Sequence, residues 1–358
     1  MHRKPRILFV LKHRENGDYG CWNYQPGQRL SSGLHNSVVF LVDMLNDMGI
    51  EAKMTTVIDN NHIDRHVSEF KPTHCIIEAF WVVPEKFDVL KTLHPKVTWI
   101  VRDHSKTEFL AQEGNAFKWT LGYLDRGVRV ACNSPEAVSD LKNLAEVTGH
   151  DPKLVVLLPN YYPINHGHCP PRDFRPHSRY KTEKKVHIGC FGAIRPFKNQ
   201  VSQALAALDF VNDIKGKLRF HINATRIEGG ATPMLNNLRG IFDSLKGHKL
   251  VEHAWMEHHD FKKLLARMDL TTQVSYSETF NIVAADSVDV YVPVVGSKEI
   301  PWLPEDMQAD PSSVKDIAKK MRKVWLDLHD NKIIAFERKG LHSYSDNAWQ
   351  VWKLTFGG

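Results

Sequence analysis

Two acidic side chains, Glu278 and Asp286, stand eight positions apart within residues 275–296, SYSETFNIVAADSVDVYVPVVG. An acid at the mouth of a strand and a second on the helix that follows can face one ligand. Phe280, Ile282, Val283, Ala284 and Ala285 fill the gap and hold the turn against a core. The pattern predicts a helix N-terminus at about Phe280, whose free N–H groups and positive dipole end suit a phosphate. A cationic element precedes it. VHIGCFG reads as a buried strand ending in glycine, and AIRPFKNQ leads into the helix QALAALDFV. There Gly192 lets the backbone approach a phosphate, while Arg195 and Lys198 supply charge. A third cluster, Arg102-Asp103-His104-Ser105-Lys106, packs polar residues where a core strand meets a loop. Each cluster also has a plain structural explanation: acids that cap a helix, cations on a β–turn–α surface, a histidine satisfied in the fold.

The elements that must position these residues are those of an α/β protein. At 358 residues the chain exceeds one ordinary core and fits two domains. An apolar content of 42% and a charged content of 25% belong to a soluble globular protein. No apolar run has transmembrane length, so no membrane insertion is expected, and MHRKPRILFV reads as a charged tip on a strand rather than a signal peptide. Cys21, Cys75, Cys132, Cys169 and Cys190 are odd in number and lack CxxC pairing, which implies reduced, structural thiols and a cytoplasmic protein. A net charge of +6 favours a polyanion or a nucleotide phosphate as partner.

Strands at RILFVL, EAKMTTV, HCIIEAF, VTWIVRD, RVACNS and KLVVLLP alternate with helical patterns over residues 1–160, which predicts a parallel, doubly wound sheet. More than twenty residues of loop separate the first strand from a helix patterned on Leu34, Val38, Leu41, Val42, Leu45 and Met48. Long loops inside compact domains are usually functional, and this one lies at the carboxyl ends of the strands. It carries Arg14, Trp22, Tyr24, Arg29 and Gly33, a set suited to stacking and anion contact. Residues 161–185 form a linker rich in Pro, His and basic side chains, including Arg172, Arg175, Arg179, Lys181, Lys184 and Lys185. Its His166, His168 and Cys169 lack a second pair at zinc spacing, so no metal site is expected. A second α/β domain over 186–340 and a final helix over 341–358 complete the chain.

SETFNIVAAD followed by VPVVGS resembles the donor-site signature of family-4 retaining glycosyltransferases of the GT-B fold. That signature has an acid, an aromatic two positions on, a second acid at the eighth position, then Gly-x-Pro-Val-Val. Glu278 and Phe280 match it, while Asp286 stands for Glu, Asn281 for Gly, and Val290-Tyr291 for small residues. The element around Gly192 and Lys198 resembles the family's Gly-Arg-Leu…Lys, with Ala193 in place of Arg and Arg195 two residues later. VIDNNHIDRHV, WVVPEKF and LHPKVTWIVRDHSKTEFLAQEGNAFKW resemble glycosyltransferase-like proteins of tailed bacteriophages, which would put the chain in the host cytoplasm.

The resemblance implies two Rossmann-like domains facing across a cleft, with a nucleotide-sugar donor, expected to be a UDP-sugar, on the second and the acceptor on the first. It implies sugar transfer to a hydroxyl with retention, without metal or other cofactor. Gly192, Arg195, Lys198, Phe280, Asn281, Ile282 and Asp286 would bind the donor, with Asp286 on the ribose. Glu278, His104 and Asp103 would face the sugar. The terminal helix would return to the first domain. A hydroxymethylated base in duplex DNA is the expected acceptor, drawn from the stack to meet the loop aromatics. Alternatives remain open: a protein or glycan acceptor, a nucleotide-sugar 2-epimerase, or a degenerate nucleotide-sugar or DNA-binding module. The sequence leaves sugar, acceptor and oligomeric state undetermined.

Overall fold

The structure, a computed structural model, describes residues 4–12, 32–164, 182–328 and 331–357. The loop candidates Arg14, Trp22, Tyr24 and Arg29 and the linker cations Arg172, Arg175, Arg179 and Lys181 lie outside the described residues, as do His166, His168 and Cys169. The described chain divides into two compact units, one of residues 4–12, 32–163 and 345–357, the other of 164, 182–328 and 331–344.

In the first unit, strands β1 (Arg6–Lys12), β2 (Glu51–Val57), β3 (His74–Glu78), β4 (Thr98–Asp103), β5 (Arg129–Cys132) and β6 (Val155–Leu157) form one parallel sheet in the order β2-β1-β3-β4-β5-β6. Both faces are covered, as a parallel sheet requires. The two-residue period of β1 sends Ile7, Phe9 and Leu11 to a core shared with Val38, Leu41, Met44 and Leu45 of helix Gly33–Asp47. Leu8 and Val10 join the opposite core, where Phe87, Leu90, Tyr123, Leu124 and Leu141 pack. Helix Gly33–Asp47 begins where Ser32 accepts the His35 N–H at 3.2 Å, so Gly33 is its first residue.

The second unit has strands β7 (Lys185–Gly189), β8 (Lys217–Asn223), β9 (Lys249–His253), β10 (Leu270–Gln273) and β11 (Val294–Gly296), all parallel, in the order β11-β10-β7-β8-β9. The chain runs one way from β7 through β8 and β9, then returns to build β10 and β11 on the other side. The order therefore reverses between β7 and β10. Asp269, fully buried, fastens that seam: its carboxylate accepts the His187 N–H at 2.7 Å and its own N–H reaches the His187 carbonyl at 2.8 Å.

The last helix, Lys332–Phe356, starts nine residues before the position its sequence pattern suggests. Its later turns supply Trp352, which donates to the Pro159 carbonyl at 2.9 Å and packs on Phe9 and Phe356. Its earlier turns supply Glu337 and Arg338 to the second unit. No described helix is long and apolar enough to cross a membrane.

Glu337 is fully buried, and both its oxygens lie within reach of the Val294 N–H, at 3.1 and 3.2 Å. Burial drives its pKa well above the ordinary glutamate range, only partly offset by that N–H. With the folded value raised, its contribution to stability is full below the ordinary glutamate pKa and is lost as pH rises toward the raised value. Glu337→Gln keeps the acceptor and cannot ionise. Urea denaturation should find it equal to the wild type near pH 4 and more stable at pH 8. The gap should grow by up to about 1.4 kcal/mol per pH unit inside the window. Parallel pH profiles for the two proteins would exclude a protonated Glu337.

Candidate active site

In open α/β sheets a ligand crevice lies outside the carboxyl ends of the strands where the order reverses. In the second unit that point is the pair of loops after β7 and β10. These loops hold the two charged elements singled out in the sequence. Lys198 and Glu278, eighty residues apart, form an ion pair there through Nζ and Oε1, with side chains only 11% and 7% exposed.

Amide side chains fasten the two loops together. Gln203 donates to the Lys198 carbonyl at 2.7 Å and accepts from the Thr272 hydroxyl and the Val274 N–H at 2.8 Å each. Asn199 reaches the Val274 carbonyl at 3.2 Å, and the Tyr276 N–H reaches the Phe197 carbonyl at 2.8 Å. Burial disfavours the charge on both Lys198 and Glu278. It lowers the Lys198 pKa, with Arg195 adding to the fall and Glu278 opposing it. For Glu278 the burial cost is outweighed by Lys198 and then Arg195, which hold the carboxyl below its usual range. Arg195 thus acts on the pair electrostatically while its Nη1 stands 3.8 Å from Glu228. Ala193, where the family pattern has Arg, is buried, and its carbonyl accepts from Gln200 at 2.9 Å.

Gly192 has φ of +110°, with its N–H held by Asn223 at 3.0 Å. An added Cβ would meet no atom within 4 Å, so backbone conformation rather than space calls for glycine here. Such a loop can bring N–H groups close to an oxyanion.

Helix Ile282–Asp289 begins two residues later than the sequence pattern suggests. Asn281 is its N-cap, at φ of +63°, and accepts the Ala284 N–H at 3.0 Å. Its Nδ2 donates to Gln273 at 3.1 Å, and Gln273 donates to the Phe191 carbonyl at 3.0 Å. The phosphate-suited helix start is thereby tied to the loop before Gly192. Ile282 opens the helix. Phe280 is 2% exposed and packs against Trp302 and Tyr344. Asp286, 2% exposed, pairs with His258 Nε2 at 2.7 Å, and any ribose it holds would be met by the His258–Asp286 pair together.

In the first unit, the carboxyl ends of β3 and β4 bring His104 together with residues that the sequence pattern does not single out. His104 Nε2 lies 2.5 Å from Glu78 Oε2, and Asn133 Nδ2 stands 3.4 Å from its Nδ1. Arg102, fully buried, donates to Glu78 at 3.2 Å, to Asn160 at 2.6 Å and to the Leu158 carbonyl at 3.0 Å. Burial opposes ionisation of Glu78, yet the Arg102 charge and the hydrogen bond from His104 hold its carboxyl below the usual range. Asp103 is buried beside this cluster. Its Oδ1 accepts the Ser105 N–H at 3.0 Å, its Oδ2 has no hydrogen-bond partner, and burial raises its pKa to about 7. The only sequence signal for Glu78 is an acid that ends the buried apolar run Cys75-Ile76-Ile77.

Solved structures of similar fold cover nearly the whole chain. HepE of Anabaena, crystallised with UDP-glucose, has a TM-score of 0.59 at 13% identity over 98% of this chain and 96% of its own. A glycosyltransferase of Rickettsia africae has a TM-score of 0.61 at 12% identity over 99% and 98% of the two chains. Sucrose-phosphate synthase of Thermosynechococcus elongatus reaches 0.61 at 12% over 98% of each. The fold is GT-B. No protein-family profile matches the sequence, and a search of curated proteins gives no match.

Within this GT-B chain both departures from glycine in the signature fall at left-handed residues. Asn281 has φ of +63° and Tyr291 has φ of +61°. Asn tolerates that region, whereas a tyrosine there is strained. The Tyr291 ring is covered by the Arg338 guanidinium at 4.1 Å, and Arg338 also donates to the Val288 and Asp289 carbonyls at 3.0 and 3.1 Å. That arginine closes the carboxyl end of the signature helix. Asn281→Ala loses the cap and places an alanine in the left-handed region, so denaturant melts should find it destabilised by about 2 kcal/mol. Asn281→Gly keeps the backbone and should cost less than the alanine. Equal losses in the two variants would mean that neither the cap nor the backbone angle matters.

Proposed function

We propose that this protein is a glycosyltransferase that moves a sugar from a nucleoside-diphosphate sugar to an acceptor hydroxyl. The observation that carries the reading is the Lys198–Glu278 pair at the strand-order reversal of a GT-B second unit. HepE was crystallised with UDP and with UDP-glucose, which makes a UDP-sugar the first donor to test here. Lys198, aided by Arg195 and the N–H groups at the start of helix Ile282–Asp289, neutralises the leaving diphosphate. An arriving diphosphate competes with Glu278 for Lys198, and the displaced carboxylate then faces the sugar as positive charge develops. Asp286 with His258 holds the ribose. His104 and Asp103 supply sugar-contacting groups from the first unit. By resemblance the transfer retains anomeric configuration and uses no metal.

Lys198→Ala tests the phosphate role. Loss of one charge-assisted contact should weaken UDP-glucose binding by roughly 1.5–3 kcal/mol, read by calorimetry on a variant whose melting curve confirms folding. Glu278→Gln should mainly lower kcat, and Asp286→Asn should mainly raise the donor KM. Unchanged binding and turnover in all three would return these residues to a structural role.

For the acceptor we propose hydroxymethylated duplex DNA, on the strength of the basic linker, the Arg- and aromatic-rich first loop and the phage-like segments. A labelled nucleotide-sugar panel offered to hydroxymethylated duplex, unmodified duplex, peptide and glycan separates the readings. Transfer to the hydroxymethylated duplex alone is expected, with a steep salt dependence that replacing Arg175, Arg179 and Lys181 together flattens. Transfer to peptide or glycan instead would overturn the DNA acceptor. An interconverted sugar without acceptor would identify an epimerase, and binding without turnover a binding module.

A further inference from the structure

Glu78 belongs to no motif of the sequence, yet its surroundings are built around it. Its carboxylate is fully buried between a guanidinium and an imidazole. Its carbonyl accepts the Trp81 indole N–H at 2.9 Å. The next residue, Ala79, takes a left-handed φ of +66° and donates its N–H to the Arg102 carbonyl at 2.9 Å. A non-glycine residue in that region costs free energy, and such strain collects at functional sites. Here it turns the chain sharply after β3 and leaves Glu78 under His104.

An ionised carboxylate can only accept hydrogen bonds, and Arg102 at 3.2 Å keeps Glu78 ionised. The 2.5 Å contact therefore requires the proton of His104 to sit on Nε2. Burial, then the nearby Arg102 charge, lower the His104 pKa against the pull of Glu78 and so favour the neutral ring. A neutral ring with its proton on Nε2 presents Nδ1 as an acceptor, and Asn133 Nδ2 already approaches it as a donor at 3.4 Å. A partner for Nδ1 must bring a hydrogen. A hydroxyl qualifies, whereas a carbonyl or phosphate oxygen does not.

We propose that Glu78 is a positioning residue that fixes His104 as the Nε2–H tautomer, so that Nδ1 accepts a hydrogen bond from a hydroxyl of the sugar substrate. This assignment rests on the glycosyltransferase reading. It adds to that reading a residue acting through His104 and the chemical class of group that His104 recognises. Arg102 and Asn160 form the support behind Glu78, since Arg102 also donates through Nη2 to the Asn160 side chain and through Nε to the Leu158 carbonyl.

The test uses the full chain with 15N-labelled histidine, and His104→Ala assigns the His104 ring signals. In the wild type, long-range ring correlations should place the proton on Nε2 and leave Nδ1 bare. In Glu78→Gln the Nδ1–H tautomer should become populated, and kcat with UDP-glucose should fall roughly 10–100-fold while donor binding holds. In the His104→Ala background the same Glu78 substitution should cost less than about twofold, because its effect passes through the ring. Glu78→Asp keeps a charge beside Arg102 and withdraws it from His104. It serves if Glu78→Gln does not fold, and the same tautomer change and turnover loss are expected. A proton on Nδ1 in the wild type, or an equal turnover loss in both backgrounds, would overturn the assignment. If the wild type turns over no nucleotide sugar, the glycosyltransferase reading falls and takes the sugar hydroxyl with it. The ring spectrum alone then decides whether Glu78 fixes His104.

Discussion

Everything at the second unit's site depends on holding a lysine and a glutamate, eighty residues apart, together and largely out of water. Burying either charge alone costs several kcal/mol, so each is tolerable only beside the other. Their meeting is a matter of topology before chemistry. Because β10 returns to lie against β7, the loops after these two strands come side by side. Asp269 seals the seam at the start of β10, and Gln203 joins the two loops beyond it. With the loops fixed, Lys198 meets Glu278 at an address set by the backbone rather than by the flexibility of a long side chain.

Charge is managed differently in the first unit. There Arg102 lies at zero exposure, bonded to Glu78, Asn160 and the Leu158 carbonyl. Such a cluster adds little net stability when set against the cost of desolvation. What it supplies is direction, because each donor and acceptor has one orientation that satisfies it. The two units thus present different tools at the ends of their sheets. One has a cation that a ligand's anion can compete for, the other an imidazole with a fixed hydrogen-bonding sense.

Much of this was legible before any coordinates. The alternation of apolar runs with helical periods gives both parallel sheets, since strand and helix periods leave local marks. Lys198, Glu278 and Gly192 stand out because charge or glycine beside a buried strand is itself a local anomaly. Other features left no such mark. Glu78 and Asn133 matter only through what faces them across strands, and Gln203 and Gln273 read as ordinary polar residues of a helix and a strand. Phe280 stands in the resembled donor motif, and its packing on Trp302 and Tyr344 left no mark in the sequence, because aromatic packing and ligand contact use the same letter. The helix start moves from Phe280 to Ile282 because Asn281, in a left-handed turn, takes the cap.

Arg338 over Tyr291 has a meaning for how such a chain diverges. Where a glycine would satisfy the turn by itself, a tyrosine satisfies it only with an external brace, and here the brace is carried some forty-seven positions downstream. The two positions form a ratchet. Once the tyrosine is in place, losing the arginine exposes the strain. Regaining glycine, in turn, removes the strain and leaves the arginine only its bonds to the Val288 and Asp289 carbonyls. Descendants of such a chain would keep the turn while its lettering wanders in pairs. A pattern written in dihedral angles would follow that lineage long after one written in residues had lost it.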